Sequence, residues 1–379
     1  MPSSISIGGA ASSSAGGGYV RSNGYNQRRV WAAAGTFTFT VPTGVTELLI
    51  TAFGAGGSGG KVTNNGTTVS GGAGGGLVEK TVTVSPGDTV LITVGAGGAA
   101  STGIGVTGAN GGTTSVAVNS TTIYATGGQG GLYSSGTIRP VGGVGSGGDI
   151  NRTGGSGGAN TINGNASQSA PGGGSAPTRS IDGFRGGDVT ISSSAYYCGA
   201  GGGGIGGNGG DIVGENRTGA SGGGSAGPGT SNSIDTAYSS PGAPGMFAGG
   251  NAGIAQSASY SIKTPESGSG GLPWWDIDEV SGSSGGSGTS ANALQFPGKS
   301  GPGAGGSGSS TWLSPASDGG IFAGGAGFAS DSTGFGGRGG NGGNGAGGGA
   351  SVFAGPSPRG PSGAGGDGWV GIYFNRKAA

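Results

Sequence analysis

Histidine is absent from this chain of 379 residues, and cysteine occurs only once, as Cys198. The absence of histidine removes the commonest general base and the commonest metal ligand, and it excludes a Ser-His-Asp triad. A single cysteine cannot form a disulfide within the chain. We therefore expect a protein that is not an enzyme and that uses neither a metal ion nor a cofactor.

Charged and apolar residues are also scarce. They make up 8% and 31% of the chain, against about 25% and about 45–50% in ordinary globular domains. Basic and acidic residues number 16 each, and the zero net charge argues against nucleic acid and anionic membranes as partners. The chain has no run of about 18 apolar residues, so the sequence predicts no membrane span. The first residues lack the basic and apolar regions of a secretory signal, so we expect synthesis in a cytoplasm without a signal peptide.

Glycine is abundant, with 106 residues. X-Gly-Gly triplets repeat with period three, most regularly in residues 205–211 and 335–344. A left-handed polyproline-II helix has three residues per turn and no internal hydrogen bonds, so these triplets place bare backbone along two of its edges. The pattern predicts a bundle of polyglycine-II helices. Collagen requires an unbroken repeat and more proline than the 17 residues present here, and a flexible glycine-serine linker remains the alternative.

Alternating β-branched and aromatic residues between turn residues predict β-strands. The predicted strands are 36–41, 45–53, 77–84, 89–94, 113–118, 121–126 and 369–374. The last of these stands far from the others, and we expect it to return to the early sheet because a lone strand must pair. The expected fold is mostly irregular or all-β, with a small β-sandwich domain and an inserted bundle of polyglycine-II helices joined by long loops.

The predicted organisation has three parts. Residues 1–34 form an attachment segment, residues 35–126 and 367–379 form the β domain, and residues 127–366 form the glycine-rich bundle. Aromatic and arginine side chains are enriched at protein–protein contacts, although a disordered leader is the alternative for the first segment. The candidate attachment residues are Tyr19, Arg21, Tyr25, Arg28, Arg29 and Trp31.

Most large side chains of the bundle lie in the loops between triplets. Tyrosine and tryptophan dominate binding hot spots, and the candidate contact residues are Tyr133, Tyr196, Tyr197, Tyr238, Trp274, Trp275, Asp276, Asp278 and Trp312. The Trp274-Trp275 pair with the acidic group after it is the sharpest candidate, unless these rings plug the end of the bundle. Three phenylalanines, Phe247, Phe322 and Phe353, precede Ala-Gly and are interpreted as wedges between helices or under their ends. Only the loops at one end of an up-and-down bundle can face a partner. The sequence does not indicate which of the two ends this is.

The acidic group Asp276, Asp278 and Glu279 has two further interpretations. Carboxylate oxygens bind calcium, but the glycine-containing loop with spaced ligands is missing. Paired carboxylates also cleave glycans, but no motif sets their separation here. We therefore assign no metal site and no catalytic site to these residues.

Glycine-rich helices joined by variable loops resemble the receptor-binding adhesins on the long tail fibres of T-even bacteriophages. The segment from Gly35-Thr36-Phe37 to Gly54-Ala55-Gly56-Gly57, and the closing Gly365-Gly366-Asp367-Gly368-Trp369-Val370, are also similar to glycine-rich domains of many phage tail proteins. The resemblance covers about residues 35–374. This chain departs from T-even adhesins in its first third, where only about 34 residues precede the first predicted strand.

The resemblance implies a non-enzymatic adhesin at the tip of a phage tail fibre. Its partners would be a bacterial surface receptor, either an outer-membrane protein or a polysaccharide, and other tail-fibre proteins of the virion. From the zero net charge and the absence of a long apolar run, we also expect binding to no nucleic acid and no membrane insertion. The alternative is a purely structural virion component, such as a fibre, capsid fibre or capping module. A more distant alternative is an ice-binding protein, which would need a flat, regular face that the aromatic loops here would interrupt.

Overall fold

The computed structural model describes residues 25–62, 68–103, 105–134, 138–162, 168–191, 197–213, 218–219, 228, 232–233, 305–306, 316, 318–330, 338–353 and 360–375. Within these residues the regular structure consists of strands, with no helix and no closed barrel. The mostly β character expected from the sequence is therefore confirmed for the described part of the chain.

The strands follow one another as β1 (Gln27–Trp31), β2 (Gly35–Thr40), β3 (Glu47–Phe53), β4 (Lys61–Val62), β5 (Thr68–Val69), β6 (Leu77–Thr83), β7 (Thr89–Val94), β8 (Thr114–Val118), β9 (Thr121–Ala125), β10 (Tyr133–Ser134), β11 (Gly145–Ser146) and β12 (Ile150–Arg152). Shorter strands continue as β13 (Asn160–Ile162), β14 (Gln168–Ala170), β15 (Val189–Ile191), β16 (Tyr197–Gly199), β17 (Ile212–Val213), β18 (Thr218–Gly219), β19 (Asn232–Ser233), β20 (Phe328–Ser330) and β21 (Ser351–Phe353), and the last strand is β22 (Trp369–Phe374).

Two five-stranded antiparallel sheets form the larger regular part. The first sheet has the order β1-β22-β3-β6-β12, and the second has the order β11-β9-β8-β7-β2. The predicted return of the C-terminal strand is confirmed, because β22 pairs with β3 with Ile372 opposite Ile50. The first sheet also begins earlier than residue 35, where the sequence analysis started the β domain, since β1 pairs with β22 from the other side.

The two sheets share one apolar core. Leu48, Ile50 and Ile372 of the first sheet pack in the same cluster as Val90 and Ile92 of the second. The outer face of the second sheet is open to solvent, so β7 alternates between exposed and buried residues. In contrast, every residue of β22 is buried, which indicates that the first sheet is covered on both faces.

The second face of the first sheet is covered by turns of the glycine-rich region. Phe53 and Trp369 lie on this face, and they contact Phe322, which stacks on Phe53 with ring centroids 4.6 Å apart. Ala176 and Ile205, which adjoin two other turns, belong to the same cluster. Phe322, one of the three phenylalanines interpreted as wedges, is thus buried against the first sheet, whereas Phe247 lies outside the described residues and the side chain of Phe353 is not described.

Extended glycine segments leave the sheets and bond to one another through their backbones with period three. In residues 54–60, Gly54, Gly57 and Gly60 donate to the carbonyls of residues 76, 73 and 70. Ala55 and Ser58, each one residue further on, donate to the carbonyls of residues 112 and 109 in a second neighbouring segment. Gly56 and Gly59 donate to the carbonyls of residues 366 and 363 in a third neighbouring segment. A β-strand would alternate between two neighbours, whereas this segment donates to three neighbours in turn.

The central segments are surrounded on all sides. Segment 54–60 also accepts hydrogen bonds from residues 98, 128, 131, 348 and 351, so six other segments bond to it. Along segment 54–60, the residue numbers of the carbonyls that accept its bonds decrease in all three acceptor segments, so these segments run antiparallel to it. The segment that contains residues 128 and 131 bonds in increasing order, so it runs parallel. Segments 70–76 and 171–176 bond in the same way to six neighbours each.

The outer segments use side-chain oxygens where a backbone carbonyl is not available. Asn110 Oδ1 accepts from Gly130 N at 2.8 Å, Asn208 Oδ1 from Arg185 N at 3.1 Å, and Asn341 Oδ1 from Ala364 N at 3.0 Å. These asparagines occupy X positions of triplets. A buried donor without a partner is costly, so an acceptor at the X position satisfies an amide at the border of the bundle.

Candidate functional site

The two ends of the glycine-rich region differ in what covers them. At the end next to the first sheet, the turns that contain Ala176, Ile205 and Phe322 are packed against the sheet. Arg179 Nε adds an ion pair of 2.8 Å with Glu79 Oε1 of β6, and Glu79 is almost fully buried. The residues of these turns that face the sheet are therefore covered, although Ile181 in the turn after Ala176 is 49% exposed, and we call this the sheet end.

The opposite end, which we call the distal end, carries short paired strands. Segment 54–60 connects β3 to β4, so β4 lies one segment length away from the sheets. Strands β5, β10 and β13 are reached in the same way, and β5 contacts all of β4, β10 and β13. Strands β13, β15, β17 and β19 form a parallel sheet, as do β14, β16 and β18, because segments that run in one direction end side by side.

Tyr133 is the one predicted contact residue whose side chain lies within the described part of the chain. It begins β10 at the distal end, the residue is 39% exposed, and its amide donates to Thr107 Oγ1 at 3.4 Å. Val106, which precedes this strand in the sequence, and Ile138, which follows it, are also exposed. The sequence analysis did not select these two residues, since a single aliphatic residue outside a repeated pattern gives no signal.

The other predicted contact residues are not tested by the described geometry. Tyr197 lies in β16, opposite Gln168 of β14, and this places its backbone at the distal end. Its side chain is not described. The remaining candidates, Tyr196, Tyr238, Trp274, Trp275, Asp276, Asp278 and Trp312, lie outside the described residues.

Charged residues towards the distal end pair with one another. Arg185 donates two hydrogen bonds to Asp211, of 2.6 and 2.7 Å, and Arg139 Nη1 donates to Asp188 Oδ1 at 2.7 Å. Burial raises the pKa of Asp211, but the hydrogen bond from Arg185, the amide of Asp188 and the nearby arginine charges outweigh it and lower the pKa overall. The hydrogen bond to Asp211 in turn raises the pKa of Arg185. These charges hold neighbouring segments together.

The predicted attachment residues lie at the first sheet where they are described. Trp31 packs against the core, edge-on to Phe39 with ring centroids 6.0 Å apart. The Tyr25 hydroxyl donates to Glu47 Oε1 at 2.8 Å, and burial together with this carboxylate raises the pKa of Tyr25 to about 12. Arg28 and Arg29 lie in β1. Tyr19 and Arg21 lie outside the described residues.

The described part of the chain offers no site of two other kinds. It contains no cluster of three or more histidine, cysteine, aspartate or glutamate residues arranged to hold a metal ion. It also contains no helix long and apolar enough to cross a membrane.

The chain is a glycine-rich protein in which extended glycine segments are built onto two β-sheets. The family described as glycine-rich domain matches residues 32–247, which is more than half of the chain, and the chain belongs to this family. No curated protein matches it.

Proposed function

We propose that the glycine segments are polyglycine-II helices. Three observations support this: each central segment donates to three neighbours in a repeat of three, six segments surround it, and glycine occupies the positions of closest approach. An added Cβ at Gly56 would lie 1.9 Å from the carbonyl oxygen of Ala346, which is a backbone atom that cannot be displaced. The common core of the two sheets supports a β-sandwich as the base of this bundle.

We further propose that the protein is a non-enzymatic adhesin at the tip of a phage tail fibre. It would be part of the virion and would bind a bacterial surface receptor, either an outer-membrane protein or a polysaccharide. The observation that carries this proposal is the difference between the two ends of the bundle. Because Ala176, Ile205 and Phe322 in the turns at the sheet end are buried against the first sheet, the proposal assigns receptor contact to the loops at the distal end, beyond strands such as β10 and β16.

The proposal assigns the receptor contacts to a defined set of loops. Tyr133 and Tyr197 lie at or next to connections of the distal end, and the Trp274-Trp275 loop is the strongest further candidate from composition. Aromatic rings of this kind supply much of the binding energy of interfaces. A rigid bundle with its backbone bonded throughout would present these loops without a large ordering cost.

The test exchanges each loop in turn in the phage that carries the protein. Replacing Tyr133 by alanine, or residues 272–280 by a glycine-serine stretch of equal length, should reduce adsorption at least about tenfold, which corresponds to about 1.4 kcal/mol. The matched control is Tyr124→Ala, an exposed tyrosine on β9 of the second sheet, which should leave adsorption unchanged. Unchanged adsorption and host range for every distal loop would instead support a purely structural virion component.

A further inference from the structure

Strand β2 is an edge of the second sheet. Within the described residues it pairs only with β7, from Gly35 opposite Val94 to Thr40 opposite Thr89, and its backbone groups bond to no other described segment. In an antiparallel ladder, alternate residues direct their N–H and C=O groups away from the paired strand. The outer side of β2 therefore presents a row of backbone groups to which a further strand can bond.

This edge lacks the features that usually keep sheet edges apart. Exposed edges commonly carry charged side chains or proline, or are very short. Of the other edge strands of the two large sheets, β1 contains Arg28 and Arg29, β12 contains Arg152, and β11 has two residues. Strand β2 has six residues with the sequence Gly-Thr-Phe-Thr-Phe-Thr. Among the edges of these two described sheets, it is the one that is both long and uncharged.

The core between the two sheets is also incompletely covered at β2. Phe37 and Phe39 pack against this core and lie opposite Ile92 and Val90 of β7. Ile92 and Val90 are fully buried, whereas both phenylalanines are only partly buried. A further strand with aromatic residues on the core face would cover the part of these rings that remains exposed.

The sequence of β2 is symmetric about Thr38. In an antiparallel pair of two copies centred on Thr38, Thr36 lies opposite Thr40, and Phe37 lies opposite Phe39. The exposed threonines then meet on the solvent face and the phenylalanines on the core face, and both kinds of cross-strand pair are stabilising. A slip by one residue would turn every side chain to the wrong face, so the core face fixes the register.

We propose that the protein forms a symmetric dimer in which β2 pairs antiparallel with β2 of a second copy, with Thr38 at the centre. The second sheets of the two copies then form one sheet of ten strands, five from each copy. The same residues contribute from both sides, as in other two-fold interfaces, and the absence of charge on β2 means that its two copies meet without repulsion. The inference goes beyond the proposed function, because β2 lies in the sheets and the proposed receptor contacts lie at the distal end.

The test measures self-association of the full chain by sedimentation velocity at increasing concentration. The unaltered chain should form a dimer whose fraction rises with concentration. Thr38→Lys and Thr38→Glu should each weaken dimerisation at least about tenfold, because two like charges then lie directly opposite each other. An equal mixture of the two variants should form a dimer again, because opposite charges then meet at the centre.

The matched control is Thr122→Lys on β9. Thr122 lies in the same row of the second sheet as Thr38, to which it is connected through Ala117 and Leu91 on the strands between them. The same charge is thereby introduced three strands away from the proposed interface. This variant should dimerise as the unaltered chain does.

Four results would overturn the proposal. The first is an unaltered chain that stays monomeric at every concentration, and the second is a dimer that persists in both Thr38 variants. The third is a mixture of the two variants that remains monomeric, and the fourth is a dimer that is lost in Thr122→Lys but kept in Thr38→Lys, which would place the contact on the outer face of the sheet. Each of these results leaves the adsorption test unaffected, since none involves a receptor.

Discussion

At the scale of single residues, the glycines of the central segments are required by distance. Gly56 has no free space, because the three atoms closest to an added Cβ are backbone atoms of Ala346 and Gly347. Gly60 in the same segment is less confined, since the closest atom to an added Cβ there is the carbonyl oxygen of Gly131 at 3.0 Å. The two positions therefore form a matched pair within one segment.

We expect Gly56→Ala to lower the free energy of unfolding by about 3 kcal/mol or more, at the upper end of overpacking effects, because neither neighbouring backbone can move alone. Gly60→Ala should cost about 1 kcal/mol or less, since a shift of a few tenths of an ångström relieves its contact. Urea denaturation of both variants measures the difference. Equal stabilities would contradict the close packing of the backbones around Gly56.

The Arg185–Asp211 pair predicts a pH dependence of stability. The pKa of Asp211 is lowered in the folded protein, so the pair stabilises the fold fully above the unfolded value of about 3.9. This stabilisation is lost as the pH falls below that value and through the folded pKa. Asp211→Asn should therefore reduce stability at pH 7 by about 1–3 kcal/mol, as expected for a charged hydrogen bond, and should flatten the acid limb of the stability curve.

The control for this prediction is a surface pair of the first sheet. Lys80→Met removes an ion pair to Asp149, whose side chain is 58% exposed, and such pairs contribute no more than about 1 kcal/mol. Denaturation curves at pH 7 and in steps below pH 4 distinguish the two variants. If the stability of Asp211→Asn decreased below pH 4 as much as that of the unaltered protein, this pair would not contribute to the pH dependence of folding.

At the scale of elements, most of the longer strands were predicted from the sequence, whereas the shortest strands were not. Residues 89–94 form β7 as predicted, and residues 45–53 contain β3 with a start two residues later, because period-two alternation and turn residues mark both strands. The turns themselves agree, since Gly44 and Gly87 adopt positive φ values of 81° and 89°. Strand β1 was not predicted, because Gln27–Trp31 lacks alternation and becomes a strand by pairing with β22.

The same limit applies to the candidate site. Which end of the bundle is covered depends on contacts between residues far apart in sequence, such as Phe53 with Phe322. Phe322 adopts a positive φ of 65°, which costs a non-glycine residue about 1–2 kcal/mol and is offset there by its buried ring. No local pattern encodes that geometry, so the sequence predicted aromatic loops without assigning them to an end.

At the scale of the whole molecule, the chain is joined by contacts between distant segments. Segment 54–60 bonds to residues 363 and 366, and β22 bonds to both β1 and β3. Each hydrogen bond contributes only about 0.5–1.5 kcal/mol, and glycine loses more conformational freedom than any other residue on folding. The segments are therefore stable only together, which predicts that sheets and bundle unfold as one unit.

Deleting residues 369–379, which removes β22, should consequently abolish slow amide exchange not only in β3 but also in segment 70–76, which has no hydrogen bond to β22. Deleting residues 376–379 alone is the control and should preserve protection in both places. Hydrogen exchange followed by mass spectrometry resolves the two regions separately. Protection that survives in segment 70–76 after loss of β22 would mean that the bundle is stable without the sheets. With cooperative unfolding, the tryptophan fluorescence and the backbone circular dichroism of the intact chain should change at the same urea concentration.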